Sequence, residues 1–297
     1  MPSWQDFQPF LVVGLALGGV YALSGVGMIV LYRATGVLNL AFGAIGAMGA
    51  LIAWQLINGG INEWLAYVVC VAFSAVLTLV YGVVFGPPLA ARDPLVKAAA
   101  TLGLALILLG AMDLLWTSNG GAVRSLTLAT DSSTFTVSQI QINWTQVIAL
   151  ALGVVITVVT GAWLRYTKLG TAMRAVANDR QITATLGVPV RRVEAAAWLG
   201  CGVLSGLAGL LLADLVALDA TTLTWLVISS LAAAVIARLR SIAVTLVAGI
   251  VIGVVESMLV PINSLTNYAD MTPFVLAGIA LLVTMIRGRD ISVSRAA

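Results

Sequence analysis

Histidine is absent from the 297 residues, cysteine occurs only twice, and charged residues make up 9% of the chain. Each shortage closes off a class of function. Without histidine the commonest metal ligand and the commonest general base at neutral pH are both missing, which argues against a metalloenzyme and against triad chemistry. Cys70 and Cys201 fall in apolar runs, so buried thiols are expected rather than a disulfide framework. No G-x-x-x-x-G-K-[ST] phosphate loop occurs, so the usual machinery for ATP hydrolysis is lacking. The first basic residue is Arg33, so the positively charged n-region of a cleavable signal is not expected either.

What remains is apolar. Hydrophobic residues account for 61% of the chain, whereas a soluble domain carries about a quarter charged residues. With roughly 20 apolar residues needed for each helical crossing, the length accommodates eight or nine spans and little else. The expected fold class is therefore all-α: a polytopic membrane helical bundle forming one domain over residues 1–297. Spans are expected at 7–32, 36–57, 63–86, 95–116, 145–167, 193–218, 222–238, 242–262 and 271–286. The second is glycine-rich and is either continuous or re-entrant; the seventh is short.

A net charge of +3 invites a nucleic-acid reading, but basic residues gather in cytoplasmic loops of any multi-pass protein. Alternating the expected spans tests this. Of the fifteen basic residues only Arg124 falls on the other side, together with Asp6, Glu63, Asp131, Asp219 and Asp270. A missed span would scramble that segregation. The amino terminus is expected outside and the carboxyl terminus inside, with membrane lipid, not nucleic acid, as the surrounding partner.

One polar stretch, about 168–192, interrupts the hydrophobic sequence on the basic side. Thr171 to Leu186 contains no glycine or proline, Gly187 stands where a left-handed C-cap is wanted, and Pro189 blocks continuation. A single helix of about four turns is expected, with Ala172, Ala175, Ile182 and Leu186 forming a modest apolar stripe. Arg174, Asp179 and Arg180 are either solvated or paired with a soluble partner that pushes on this helix. On the opposite side, the Ser/Thr-rich loop at about 117–144 includes the alternating run Thr134-Phe135-Thr136-Val137. It reads as a solvated linker with a small hairpin, or as a docking surface.

Glycine is abundant, at 29 residues. Gly14 with Gly18, Gly202 with Gly206, and Gly249 with Gly253 are small-xxx-small pairs suited to close helix approach. Gly43, Gly46 and Gly49 add a further ridge. Polar residues inside spans are the candidates for a translocation path. An unpaired Asn39 would cost several kcal/mol, ~2–7 by transfer data, so it must face the bundle or a wet cavity. Ser24 and Thr101 either bond their own helix backbone or line a path. Glu256, an intramembrane carboxylate near its outer interface, is a further candidate.

Several stretches together carry a resemblance: Gly14 to Met28, Tyr32 to Gly43, Ala100-Thr101-Leu102-Gly103-Leu104, Leu169 to Asp179, Leu186-Gly187-Val188 and Leu204 to Leu211. Taken in order they resemble the permease subunits of branched-chain amino-acid ABC importers, the Liv-type permeases, from about residue 10 to 286. The resemblance implies a transport subunit and not an enzyme, in the bacterial inner membrane. It implies four kinds of partner: a second homologous permease, two cytoplasmic ATPase subunits, an extracytoplasmic solute-binding protein and lipid. It also implies no cofactor in this chain, with ATP and Mg bound by the ATPases. The stretch matching Gly170 to Gly187, with Arg174, Asp179 and Arg180, would be the coupling region that docks on the ATPase. Metal and catalytic residues are expected to be none.

Two departures from the family pattern stand out. An Asn-Phe-Ala-His-Gly pattern is replaced by Asn39-Leu40-Ala41-Phe42-Gly43, without the histidine. The turn between spans seven and eight, usually glycine-rich, carries Arg238 and Arg240. Branched-chain amino acids are the solute the resemblance implies, with urea, amides or aromatic acids as alternatives. A stand-alone ion-coupled transporter is the competing class, but it needs intramembrane ionisable groups that are few here.

Overall fold

The computed structural model describes residues 4–90, 92–117, 126, 134–137, 140–216, 218–225, 227–262 and 265–286. Expectations placed on Arg124, Asp131, Arg287, Arg289 and Arg295 lie outside the described residues. The chain is an all-α bundle with one small hairpin. In order it forms α1 (Trp4–Thr35), α2 (Phe42–Asn58), α3 (Glu63–Ala90), α4 (Pro94–Met112), a hairpin of β1 (Thr134–Val137) and β2 (Ile140–Asn143), and α5 (Trp144–Tyr166). Then come α6 (Lys168–Asn178), α7 (Arg180–Thr185), α8 (Val190–Leu215), α9 (Ala220–Trp225), α10 (Val227–Ile236), α11 (Ile242–Leu259) and α12 (Thr272–Ile286).

Six helical stretches among the described residues are long and apolar enough to cross a membrane: Phe7–Thr35, Glu63–Ala90, Pro94–Trp116, Trp144–Tyr166, Val190–Leu215 and Ile242–Leu259. Shorter apolar stretches, Phe42–Asn58, Thr222–Ile236 and Tyr268–Val283, fall where the second, seventh and ninth spans are expected. The protein is a multi-pass membrane protein.

α1 is the centre. From residue 18 to residue 31 it is buried on every side, as an all-round apolar helix must be when other helices surround it. It packs on α11, α5, α8 and α10. Glycine makes those contacts possible. A Cβ on Gly18 would lie 2.6 Å from Ile250 Cα, and one on Gly14 would lie 2.8 Å from Val254 Cα. On another face Gly19 meets Gly153 of α5, where a Cβ on Gly19 would lie 2.8 Å from Leu150 Cα. Gly249 and Gly253 supply the α11 side of the first contact, so the two expected small-xxx-small pairs face each other.

The expected Gly43–Gly46–Gly49 ridge serves three neighbours, not one. Gly43 lies against the carbonyls of Leu223 and Thr224, Gly46 against Ser205 and Gly209 of α8, and Gly49 against Cys70 and Ser74 of α3. Gly202 and Gly206 bring α8 onto α3 in the same way. Away from this core, α4 and α5 expose Leu106, Ile107, Val158 and Val159, each more than half accessible. Apolar surface of this kind suits lipid or another membrane chain.

The second expected span begins six residues late. Gly36 takes a left-handed φ of +68° and ends α1, with its amide 2.7 Å from Tyr32 O. Residues 37–41 are non-helical yet include the buried Val37, Asn39 and Ala41. α2 then starts at Phe42, whose carbonyl accepts from Ser205 Oγ at 2.6 Å, in the middle stretch of α8. The 117–144 loop does contain the small hairpin, in register Thr134↔Asn143 and Phe135↔Ile142. Asn143 then caps α5, its Oδ1 accepting from the Thr145 amide at 3.1 Å.

Candidate functional site

The polar stretch leaves α5 at Thr167, an extended residue whose Oγ1 accepts from the Gly170 amide at 3.0 Å. That cap turns the chain sharply, and α6 folds back on α5. A Cβ on Gly170 would lie 2.5 Å from Leu164 Cα, so only glycine permits this return. Gly170, Met173 and Val176 recur every three residues and form the buried face of α6. Ala172 and Ala175 sit half-buried at its edge. The α6 face packs on α1, α5 and α8.

The single helix expected from Thr171 to Leu186 is two helices. Asp179 breaks it, with φ −154° and ψ 112°, and restarts it by accepting from the Ile182 amide at 2.8 Å. A short carboxylate competes well for backbone amides, so aspartate favours an N-cap over a helix interior. The break also shifts the phase of the stripe. Ile182 and Leu186 do not continue the buried face but stand 59% and 78% exposed. Gly187 closes α7 as expected, with φ +82° and no atom within 4 Å of where its Cβ would be. The Val188 amide reaches back to Thr183 O at 3.3 Å, and Thr183 is buried.

Charged groups surround this element. Arg174 Nη2 donates to Arg165 O at 3.3 Å and to Thr171 Oγ1 at 3.2 Å. Arg180 has a partner within the chain. Its Nε donates to Glu194 Oε1 at 2.8 Å and its Nη2 to Glu194 Oε2 at 3.4 Å. The hydrogen bond to Glu194 raises the Arg180 pKa above its ordinary value, against a lowering by partial burial. Nearby, Lys97 Nζ of α4 lies 3.6 Å from where a Cβ on Gly36 would be.

The buried path candidates are distributed differently from expectation. Asn39 is not in a span but in the non-helical 37–41 stretch, 1% exposed. Its Oδ1 accepts from the Ala41 amide at 3.1 Å, and its Nδ2 donates to Cys201 Sγ at 3.6 Å. Thr101 does more than bond its own helix. Its Oγ1 accepts from the Leu40 amide at 3.2 Å and has both Leu38 O and Ala98 O at 2.9 Å for its one proton. Ser24 is buried in α1. Glu256 Oε1 accepts from the Tyr21 hydroxyl at 3.2 Å, while its Oε2 is buried without a hydrogen-bond partner. These groups form two separate sets, one at α4–residues 37–41–α8 and one at α1–α11. Among the described residues no group of three or more Cys, Asp or Glu is placed to hold a metal ion. A cavity of about 600 Å³ between α3, α5 and α8 is lined by apolar residues such as Val71, Leu152 and Leu207. It offers almost nothing polar to orient a zwitterion.

Three side chains with partners at these places were not singled out from the sequence. Glu194 opens α8 across the Gly187–Pro189 turn from Arg180, and opposite charges flanking a tight turn were the available signal. Tyr21, fully buried, sits among apolar residues on α1. Ser205 lies within the Leu204–Leu211 stretch, where its bond to Phe42 could not be seen.

Comparison with known proteins matches residues 10–285 to the family described as branched-chain amino acid transport system, permease component. The chain belongs to this family. Its relatives include the high-affinity branched-chain amino acid transport system permease protein LivH of Salmonella typhimurium, 25% identical over 93% of this chain and 94% of that protein. BraD of Pseudomonas aeruginosa, described in the same terms, is 25% identical over 97% of this chain and 96% of its own length. A probable LivH of Methanocaldococcus jannaschii is 27% identical over 80% and 76%. Among solved structures, PsaBC from Streptococcus pneumoniae in complex with Fab covers 95% of this chain and 92% of that one, at 14% identity and a TM-score of 0.49. As a Liv-type permease the chain is a transport subunit and not an enzyme. Membership also fits the fold: six stretches among the described residues are long and apolar enough to cross a membrane.

Proposed function

We propose that this permease carries branched-chain amino acids, or a related small polar solute, inward across a bacterial inner membrane as half of the channel of an ABC importer. A second permease completes the channel, two cytoplasmic ATPases bind ATP and Mg, and an extracytoplasmic binding protein delivers solute. The amino terminus lies outside and the carboxyl terminus inside. One observation carries the reading: α6 is anchored in the bundle through Gly170, Met173 and Val176, while α7 projects Ile182 and Leu186 into solvent. An apolar tip on a rooted charged element is a docking knob, and its α6 root touches α1, the central helix. ATP binding in the partner chains moves the element, and the glycine-lined contacts of α1 re-pack between outward-open and inward-open states.

Gly170, Arg174, Asp179, Arg180 and Gly187 shape that coupling element. Asn39 and Thr101 hold the non-helical stretch that borders the path, and Ser24 and Glu256 line it. Unwound backbone inside a membrane bundle is tolerated where protein or a wet cavity satisfies it, which is the setting such paths provide. Urea, amides and aromatic acids are the alternative solutes. The test is reconstitution with the co-purifying ATPase and permease subunits in liposomes, with a cysteine at Leu186. Cross-linking of that cysteine to the ATPase, together with ATP-dependent leucine uptake, is expected. Labelling from the extracytoplasmic face, or no cross-link in an active complex, overturns the reading.

A further inference from the structure

α7 has only six residues and swivel points at both ends. Asp179 is fully extended before it, and Gly187 is left-handed after it with open space around its Cα. A helix that short has no stability of its own in water. Its orientation must therefore come from what ties it down. Besides the Asp179 cap and the Val188–Thr183 bond at its own ends, two features tie it to the bundle: Thr183 is buried, and Arg180 grips the Glu194 carboxylate with two guanidinium nitrogens. The side chain of Glu194 is 13% exposed against 46% for Arg180, so the anchor belongs to the bundle and the arm to the element. Two-nitrogen guanidinium–carboxylate contacts fix direction as well as distance. With Arg180 held on α8 and Thr183 buried, Ile182 and the capping Leu186 are the large apolar side chains left exposed on this element.

The geometry points to Glu194 as the positioning residue of the coupling element: its salt bridge to Arg180 latches α7 onto α8 and aims the Ile182–Leu186 tip at the partner. This rests on the coupling role proposed above, and it adds the means by which motion of α7 reaches α8. A rigid latch passes a push on the tip to a spanning helix; a broken one lets α7 swivel while α8 stays still.

The test uses a nitroxide on Ile182→Cys, since the native Cys70 and Cys201 are both buried. In the purified permease, Glu194→Gln and Arg180→Gln each free the label. The population of the held orientation falls about two- to fivefold, the range of a partly exposed ion pair. The double variant is no looser than either single, because both remove one interaction. In the assembled transporter the same variants lower solute moved per ATP hydrolysed while ATP hydrolysis persists. Unchanged spectra, or additive loosening, overturn the latch. A freed α7 with an unchanged ratio of transport to hydrolysis overturns its role in positioning. The Leu186→Cys cross-link is read on the parent complex, so failure of docking is seen separately from failure of the latch.

Discussion

Thr101 on α4 and Leu40, 61 residues apart in sequence, are joined by a 3.2 Å hydrogen bond from the Leu40 amide to the Thr101 hydroxyl. The same hydroxyl faces Leu38 O at 2.9 Å. One side chain thus serves a donor and an acceptor of backbone that has left the helix, in a setting where unsatisfied peptide groups are costly.

Thr101→Val keeps the shape and removes both bonds. Leaving the Leu40 amide unpaired is expected to cost about 1–3 kcal/mol, seen as a lower melting temperature in detergent, whereas Thr101→Ser stays close to the parent. Equal stability of the valine variant would mean that another group takes over the segment.

Gly18→Val places a branched side chain where even a Cβ would come 2.6 Å from Ile250 Cα. Overpacking of this kind costs about 1–3 kcal/mol. Thermal unfolding followed by size-exclusion is the measurement. Gly103→Ala, with nothing within 4 Å of the added carbon, is the matched control and is expected to melt with the parent.

Asp179→Ala removes the cap of α7 at the cost of about 0.5–2 kcal/mol locally. Hydrogen exchange at the Ile182 amide, which Asp179 now protects at 2.8 Å, is expected to speed up by roughly the corresponding factor. Exchange on the buried face of α6 remains slow.

Gly187→Val forces a β-branched residue to φ +82°, a region that costs side-chain-bearing residues about 1–2 kcal/mol. Membrane insertion is expected to be normal, with uptake falling relative to ATP hydrolysis. Uptake equal to the parent would show that the turn after α7 is not where coupling resides.

Arg238 and Leu239 both adopt left-handed backbone, with φ of 55° and 54°. Glycine is the natural residue there, and its absence is a strain. Arg238→Gly is expected to gain about 1–2 kcal/mol of strain relief, less about 0.5–1 kcal/mol of chain entropy and less the interaction its side chain makes. Arg240→Gly, at a residue without positive φ, brings no such gain. Melting of the two variants side by side decides it.

The spans were legible because apolar length is a property of sequence alone, and their ends hold to a few residues for α1, α4, α5 and α8. The Gly187 cap was equally legible, since glycine before a proline has few other uses. Asp179 misled because an aspartate on an exposed helix and an aspartate that breaks one look alike without the backbone. Asn39 and Thr101 were legible only in part. Their partners, Cys201 and Leu38–Leu40, are brought near only by tertiary packing, so no local pattern announces that they brace unwound chain. Arg180 was noticed as a charge awaiting a partner; the partner lay 14 residues on, beyond a turn.

Where α1 meets α11 and α5, Gly14, Gly18 and Gly19 face backbone, while Tyr21 and Glu256 tie the α1–α11 seam with a side-chain hydrogen bond. Axial sliding of α11 along α1 therefore has to break the Tyr21–Glu256 bond, while rotation would swing the branched neighbours of those glycines into the gap. The centre of the bundle is a rail with a catch on it, and a shove delivered at one end has to release that catch before it can travel.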